Sequence, residues 1–445
     1  MNGPATNWAG NITFTAQRFH RPASVGELQA VVARSERARA LGTGHSFNRI
    51  ADTPGDLVSV ESLPKIIEVS AERSAVTVSA GVRYGELASH LQNNGYALRN
   101  LGSLPHISVA GACATGTHGS GDANGNLATG VSALEMVTAA GDVVALSRDV
   151  DGDQFCGAVV ALGSLGIVTR LTLDIVPTFD VRQYVYEDLP RGQLDEHFAD
   201  IVSSAYSVSL FTEWRSSTFR QMWLKRRADE VGLSAPAAAP ASAPAAAPAA
   251  AAAPTPPPPP RWMGALLADG PRHPVPGMSP AACTQQMGVL GPWHERLPHF
   301  RLDFTPSSGE ELQSEYLVPR QHAIGALTAI DHIRDRVAPV LQICEIRTIA
   351  SDDLWMSPSY QRDSVALHFT WIKDTGAVTP VLAAIEDRLA PFGARPHWGK
   401  LFSTSPAVIS KLYERLPDFE RLIRHYDPGG KFRNELADTY FPGGQ

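Results

Sequence analysis

Two periodicities run along the first hundred residues. Ala38-Arg39-Ala40-Leu41 reads as a strand ending at the glycine turn Gly42-Thr43-Gly44, and Val76-Thr77-Val78-Ser79-Ala80 alternates as a half-buried strand does. Around them the spacing is helical. Ser24-Val25-Gly26-Glu27 predicts a capping box that opens a helix, and Tyr84 to Leu91 predicts a helix ending near Gly95. In the second half, Leu341 to Ala350 and Val365 to Ile372 are strand candidates rich in β-branched and aromatic residues. Val381 to Leu389 is helical, with apolar Leu382, Ile385 and Leu389. Both halves mix strands and helices, so the predicted fold class is α+β.

The alternation also sorts side chains. In Cys344-Glu345-Ile346-Arg347-Thr348, Glu345 and Arg347 share one face; in Leu367-His368-Phe369-Thr370-Trp371, His368 and Thr370 share one. Two such neighbouring strands would offer a carboxylate, a guanidinium, an imidazole and a hydroxyl to one cavity, and His397-Trp398-Gly399-Lys400 adds a cation. The same residues also suit a surface ion-pair network with His368 as a satisfied core histidine, and the pattern alone leaves both open.

Length and composition narrow the class. At 445 residues the chain exceeds what one core usually supports, which predicts two domains. A net charge of -7 disfavours a nucleic-acid partner, and the densest basic cluster, Lys225-Arg226-Arg227, is expected on a solvated or substrate-domain surface. The N-terminal residues show no secretory pattern, and no apolar run is long enough to span a membrane. Cys113, Cys156, Cys283 and Cys344 are scattered, which predicts neither a disulfide framework nor a metal site and fits a cytoplasmic protein. Ala235 to Pro260 is almost entirely alanine and proline and is expected to be a solvated, partly polyproline loop.

Two loops carry candidate ligand chemistry. Gly42-Thr43-Gly44-His45-Ser46-Phe47 directly follows a strand, and successive amides in such a turn suit a pyrophosphate. Ser103 to Gly111 runs on through Ala114-Thr115-Gly116-Thr117-His118-Gly119-Ser120-Gly121, where nearly every side chain is small or a hydroxyl, as in backbone that wraps a long cofactor. Each alone is also compatible with a plain polar loop.

Together the two stretches resemble the vanillyl-alcohol-oxidase type of FAD oxidase and, within it, the alditol oxidases. The resemblance includes Asn7 to Ile12, Ala205 to Thr212, His273 to Met278, Gly291 to Pro298, Phe304 to Gly309 and Asp427-Pro428-Gly429-Gly430-Lys431-Phe432. It covers nearly the whole chain outside Ala235 to about Arg272, so the Ala/Pro tract is read as an insertion. The resemblance implies a two-lobed FAD-binding domain over residues 1–180, a substrate domain with an antiparallel sheet over 181–400 containing the insertion at 235–260, and a segment 401–445 returning toward the FAD domain. It implies a covalent bond from His45 to the flavin. It also implies a dinucleotide site lined by Gly42, Thr43, Gly44, Ser46, Ser103, Ser108, Gly111, Thr115, Gly116, Thr117, His118, Val168 and His397. For His106 and His118 a structural hydrogen bond is the expectation.

By the same resemblance, Ser103, Glu345, Arg347, Thr370 and Lys400 bind a polyol, and His368, Arg347 and Lys400 carry the chemistry. His368 is the expected proton acceptor because an unperturbed imidazole titrates nearest neutral pH. The implied reaction is oxidation of the terminal alcohol of xylitol or sorbitol, with dioxygen as acceptor and Gly102 easing its approach. A monomer is implied, without membrane or nucleic-acid partners. The nearest alternative is an aldonolactone oxidase or dehydrogenase, which shares the Gly-x-Gly-His, Glu-x-Arg and Asp-Pro-x-Gly-Lys-Phe patterns. A flavin-carrying binding protein without turnover is a second.

Overall fold

The Ser24 hydroxyl accepts the amide of Glu27 at 3.2 Å and starts the helix Val25–Arg34, while the Glu27 carboxylate reaches back to the amide of Ala23 at 2.8 Å. This helix buries Leu28, Val31 and Val32, and the next segment forms the predicted strand Ala38–Leu41. In the computed structural model, residues 6–230, 258–304 and 309–444 are described. The predicted Ala/Pro loop at 235–260 therefore lies outside the described residues except for Pro258 to Pro260, as does Thr305 to Ser308 of the Phe304–Gly309 pattern.

The described residues up to about 180 build two small sheets and a two-stranded pair, Tyr96–Ala97 with Val176–Pro177. A parallel one has the order Arg18–His20, Asp56–Ser59, Ala38–Leu41. An antiparallel one runs Ile67–Val69, Ala75–Ser79, Ile167–Asp174, Val131–Val137, Val143–Ser147. The helix Tyr84–Asn93 buries Tyr84, Leu87 and Leu91 in the core of the second sheet, and Gly95 ends it with φ +82°. That left-handed conformation is one that glycine adopts without strain.

The described residues from about 180 to 396 form one ten-stranded antiparallel sheet. Its central strands are, in order, Asp180–Pro190, Thr218–Arg227, Ser207–Thr212, Leu341–Ile349, Ser364–Trp371 and Leu312–Pro319. Because neighbours in register share a face, the pairs Phe211↔Glu345, Ser209↔Arg347, Glu345↔His368 and Glu315↔His368 put these side chains on one side of the sheet. Leu210, Ile346, Leu367 and Phe369 point to the other, where the helices Gly192–Val202, Ala323–Asp331 and Thr375–Leu389 bury them. Each large apolar side chain so buried contributes about 1.5–3 kcal/mol. One sheet face is thus sealed by helices, and the other is polar.

The Lys225-Arg226-Arg227 cluster is not a solvated surface. Lys225 and Arg226 are 1% and 4% exposed, because they close an inner strand paired on both sides. Arg227 pairs with Asp229 at 2.8 Å and covers the ring of Phe179.

The C-terminal segment packs onto the N-terminal half. The Asp427 carboxylate accepts the amides of Lys431 and Phe432, both at 2.7 Å, and Lys431 Nζ donates to the carbonyls of Val32 and Ala139. Arg39, buried, donates to the Phe432 carbonyl at 2.8 Å. Among the described residues no helix is long and apolar enough to cross a membrane, no acid, histidine or cysteine group could hold a metal ion, and all four cysteines are free.

Candidate active site

The polar sheet face and the two glycine-rich loops enclose a cavity of about 430 Å³. From the loop side it is lined by Gly42 to Phe47, Gly102, Ser103, Ser108, Gly111, Thr115, Thr117, His118 and Val168. From the sheet side come Glu315, Glu345, Arg347, His368, Thr370, His397 and Lys400. Every residue expected to touch cofactor or substrate reaches this lining except Gly116, which adopts φ +65° between Thr115 and Thr117 and shapes the turn instead.

The loop side is built for close approach of backbone. A Cβ on Gly42 or Gly111 would lie 2.6 or 2.8 Å from Ser108 Oγ, so side chains there would fill the cradle between the loops. His45 is held on two sides. Trp8 stacks on its ring at 5.1 Å with 22° between planes, and Thr43 Oγ1 lies 3.0 Å from Nδ1. Burial pushes the His45 imidazole down to about 4, so it is neutral and nucleophilic at pH 7. The turn is tied to the sheet side by the Phe47 amide to the Gly399 carbonyl and by Asn48 Nδ2 to the carbonyls of Trp398 and Lys400, each 2.8 Å.

The sheet side is a network of ionised groups. Glu315, 1% exposed, accepts from Arg347 Nη2 at 2.6 Å and Lys400 Nζ at 2.7 Å, with His118 Nε2 3.2 Å away. Burial alone would raise the Glu315 carboxyl, but Lys400, His118 and Arg347 outweigh it and hold it well below the usual carboxylate range. Glu345 is likewise held down, against burial, by Arg347, His299 and His368. Its Oε1 accepts from His299 at 2.7 Å, and its Oε2 faces Arg347 Nε at 3.7 Å and His368 Nδ1 at 3.6 Å. Both ring nitrogens of His368 are buried without a hydrogen-bond partner among the described residues. Burial, then Lys400, push this imidazole down to about 4, so the histidine is a neutral acceptor at pH 7, rather than one titrating near neutrality as the sequence suggested. Thr370, Ser103 and Arg347 complete the wall, with Arg347 Nη1 3.5 Å from Ser103 Oγ.

On the strand side Glu315 and Glu345 are balanced by Arg347 and Lys400, so this part of the cavity carries no net charge while rich in donors and acceptors. Such a cavity suits a neutral, many-hydroxyl ligand better than an anion. The small loop side fits an extended dinucleotide carried on backbone amides.

The comparisons agree with this division. Residues 16–147 match the family model described as FAD binding domain, and residues 309–440 match that of D-arabinono-1,4-lactone oxidase. An alditol oxidase of Streptomyces sp. is 52% identical over 447 residues, covering all of both chains. The chain belongs to the alditol oxidase family. More distant is an L-gulono-1,4-lactone dehydrogenase of Mycobacterium tuberculosis, 28% identical with 97% of each chain covered. Among solved structures, a solvent-stable cholesterol oxidase superposes with TM-score 0.76 at 14% identity, over 98% of this chain and 97% of that one. Cholesterol oxidase from B. sterolicum gives 0.73 at 14%, over 99% and 96%. These two share the fold of this alditol-oxidase family member.

The site also contains residues that sequence reasoning missed. Glu315 lies on the strand Leu312–Pro319, where Gln313 and Glu315 alternate with buried Leu312 and Tyr316, and a carboxylate inside so apolar a strand was the available signal. Trp8 was visible only as part of a resemblance, and His299 lies in a segment without regular structure. His118 and His106 make the expected local contacts, Nδ1 to the Gly119 carbonyl at 2.9 Å and Nε2 to the Leu302 carbonyl at 2.8 Å.

Proposed function

We propose that this protein oxidises the terminal primary alcohol of alditols such as xylitol and sorbitol to aldoses, using FAD bound covalently through His45 and releasing hydrogen peroxide. The observation that carries the reading is the charge-balanced, donor-rich strand wall of the cavity, with an unpartnered, neutral His368 beside two pinned carboxylates.

The FAD would be held by the turn Gly42 to Ser46, by Ser103, Ser108, Gly111 and Thr115 to His118, and by Val168 and His397, with the neutral imidazole of His45 making the covalent link. When bound, FAD supplies the hydride acceptor and the means of reducing dioxygen. Glu345 Oε2, Thr370 Oγ1 and Ser103 Oγ hold hydroxyls of the chain. His368 accepts the proton of the C1 hydroxyl as the hydride departs, and its depressed basicity fits a group that must be neutral beforehand. Arg347 and Lys400 stabilise negative charge developing on that oxygen, and Glu315 fixes both cations so that no reorganisation is needed at the moment of reaction. The reading includes a monomeric state and a cytoplasmic location, the latter supported by four free cysteines.

The test is the visible absorbance of the purified protein before and after acid precipitation, followed by peroxide release on adding xylitol. Yellow colour that stays in the pellet, together with peroxide, is the expected result. Colour in the supernatant would overturn the His45 link. A second reading, oxidation of aldonolactones, is favoured by the match of residues 309–440 to the D-arabinono-1,4-lactone oxidase model. Faster turnover of gulono-1,4-lactone than of xylitol would move it to first place.

A further inference from the structure

Lys225 stands on the polar face of the sheet, two strands from Arg347 through the register Trp223↔Ser209↔Arg347, and is buried without reaching the cavity. Its ammonium meets three acceptors: the Leu297 carbonyl, the Pro298 carbonyl at 3.1 Å and His299 Nδ1 at 2.9 Å. An ammonium has three protons and no lone pair. The carboxylate 2.7 Å from Nε2 calls for a proton on Nε2, and between Nζ and Nδ1 the remaining proton stays on the amine, the stronger base, so a charged Lys225 donates to all three acceptors and Nδ1 accepts. That assignment puts the imidazole proton on Nε2, the atom 2.7 Å from Glu345 Oε1.

The rest of the surroundings hold this ring in place. Trp223 and Phe211 meet it edge-on at 5.1 and 5.7 Å, and its amide donates to the Ser103 carbonyl at 3.2 Å. The charged and titratable groups facing His299 are Lys225, Glu345 and Arg347; Cys283 faces Lys225, and His368 faces the other oxygen of Glu345. Burial pushes the Lys225 amine down to about 7 and, together with Lys225, the His299 imidazole down to about 4, so a neutral imidazole is retained near pH 7.

We infer that Lys225 is a positioning residue: through Nδ1 it fixes the His299 tautomer that pins Oε1 of Glu345, leaving Oε2 to take the substrate hydroxyls. Without the lysine the imidazole is free to donate from Nδ1 to the Leu297 or Pro298 carbonyl, and Nε2 then turns a lone pair toward the carboxylate. Glu345 becomes easier to protonate and loses its fixed orientation. The inference rests on the reading of Glu345 as a substrate ligand.

The test is a double-mutant cycle on the holoenzyme with K225M and H299Q, because a glutamine amide donates at the position of Nε2 whatever happens at Nδ1. K225M is expected to lower kcat/KM by about tenfold in the wild-type background and less than about twofold in H299Q, the size expected for one hydrogen bond to a charged group. The acid limb of the kcat/KM pH profile should also move upward in K225M alone. An equal loss in both backgrounds, or a uniform loss at every pH, overturns the inference. The substrate is whichever of xylitol and gulono-1,4-lactone the wild type turns over. In parallel, ¹⁵N-histidine spectra of the wild type, with His299 assigned by its absence in H299Q, should show a neutral Nε2–H tautomer from pH 6 to 8. An Nδ1–H tautomer or an imidazolium there overturns the inference even if K225M does not fold. Absence of turnover with both substrates would count against the proposed function and leave the tautomer measurement intact.

Discussion

The two walls of the cavity solve opposite problems. The loop wall, Gly42 to Ser46 and Gly102 to His118, offers mostly small residues and backbone, and on it His45 is clamped between Trp8 and Thr43. The sheet wall offers side chains, many of them ionisable, on strands whose reverse face is sealed by helices. A long, anionic cofactor is best met by many amides at close range, whereas a small neutral substrate needs a few groups fixed in direction. Tolerance to substitution should differ accordingly: the loop wall fails by steric intrusion, the sheet wall by leaving a buried charge alone.

The largest effect is expected at the hub of the sheet wall. Arg347→Met leaves Glu315 with Lys400 and His118 and removes the cation beside Glu345, both carboxylates being buried. Stripping one partner from a buried ion pair costs roughly 3–5 kcal/mol of stability, and loss of a fixed charge from a dry site costs about 10²–10³ in kcat. Thermal unfolding and xylitol turnover of the holoenzyme measure both. Arg347→Lys should restore little, because one ammonium does not reproduce a fork directed at both Glu315 and Glu345. Near-normal activity in Arg347→Met would mean that the ion network is structural only.

On the loop wall, His45→Ala should release the colour to the supernatant on acid precipitation while the protein still folds, since the side chain stacks on Trp8 but carries no buried charge. Turnover should fall by about tenfold or more with loss of the tuning that the covalent link gives the flavin. Retained colour in the pellet would put the link elsewhere.

Acid should act on both walls at once. The folded-state imidazoles of His45, His299 and His368 are pushed down to about 4, below their ordinary 6.5. Groups buried neutral in this way contribute stability that is present above pH 6.5 and is lost as pH falls toward 4, because only the unfolded chain takes up the protons. Each contributes up to about 1.4 kcal/mol per pH unit within that window. Tm should therefore drop steadily from pH 7 to pH 5, and His368→Gln should flatten the slope. A Tm independent of pH over that range would mean that these imidazoles are charged in the fold.

The contrast between the walls also explains what the sequence disclosed. Strand alternation separates Glu345 and Arg347 from Ile346, and His368 and Thr370 from Phe369, because the period of two is local. That Glu345 lies opposite His368 and that Glu315 joins them is a matter of register between residues 23 and 53 positions apart, which no local pattern carries. Lys225 misled for the same reason. Three consecutive basic residues ordinarily mean solvent, and what buries Lys225 is a pair of carbonyls and an imidazole more than 70 residues away. The glycine loops were legible because their constraint is local: a backbone that must come close announces itself in side chains that are missing.

The smallest expected effect probes the boundary between the walls. Gly102 lines the cavity just before Ser103, and a Cβ built on it would meet nothing nearer than 3.9 Å, the His118 carbonyl and the side chains of Ile107 and Leu127. Gly102→Ala should therefore fold and bind substrate as the wild type does, since contact at that distance is ordinary packing. If the open space admits dioxygen, the methyl group narrows the route to a small apolar gas without touching the polyol's hydrogen bonds. Oxygen-dependent turnover should then fall by about two- to fivefold, less than 1.4 kcal/mol in barrier, while turnover with an artificial electron acceptor stays unchanged. Equal losses with both acceptors would place the effect on the substrate, making Gly102 part of the polyol wall and moving the boundary by one residue.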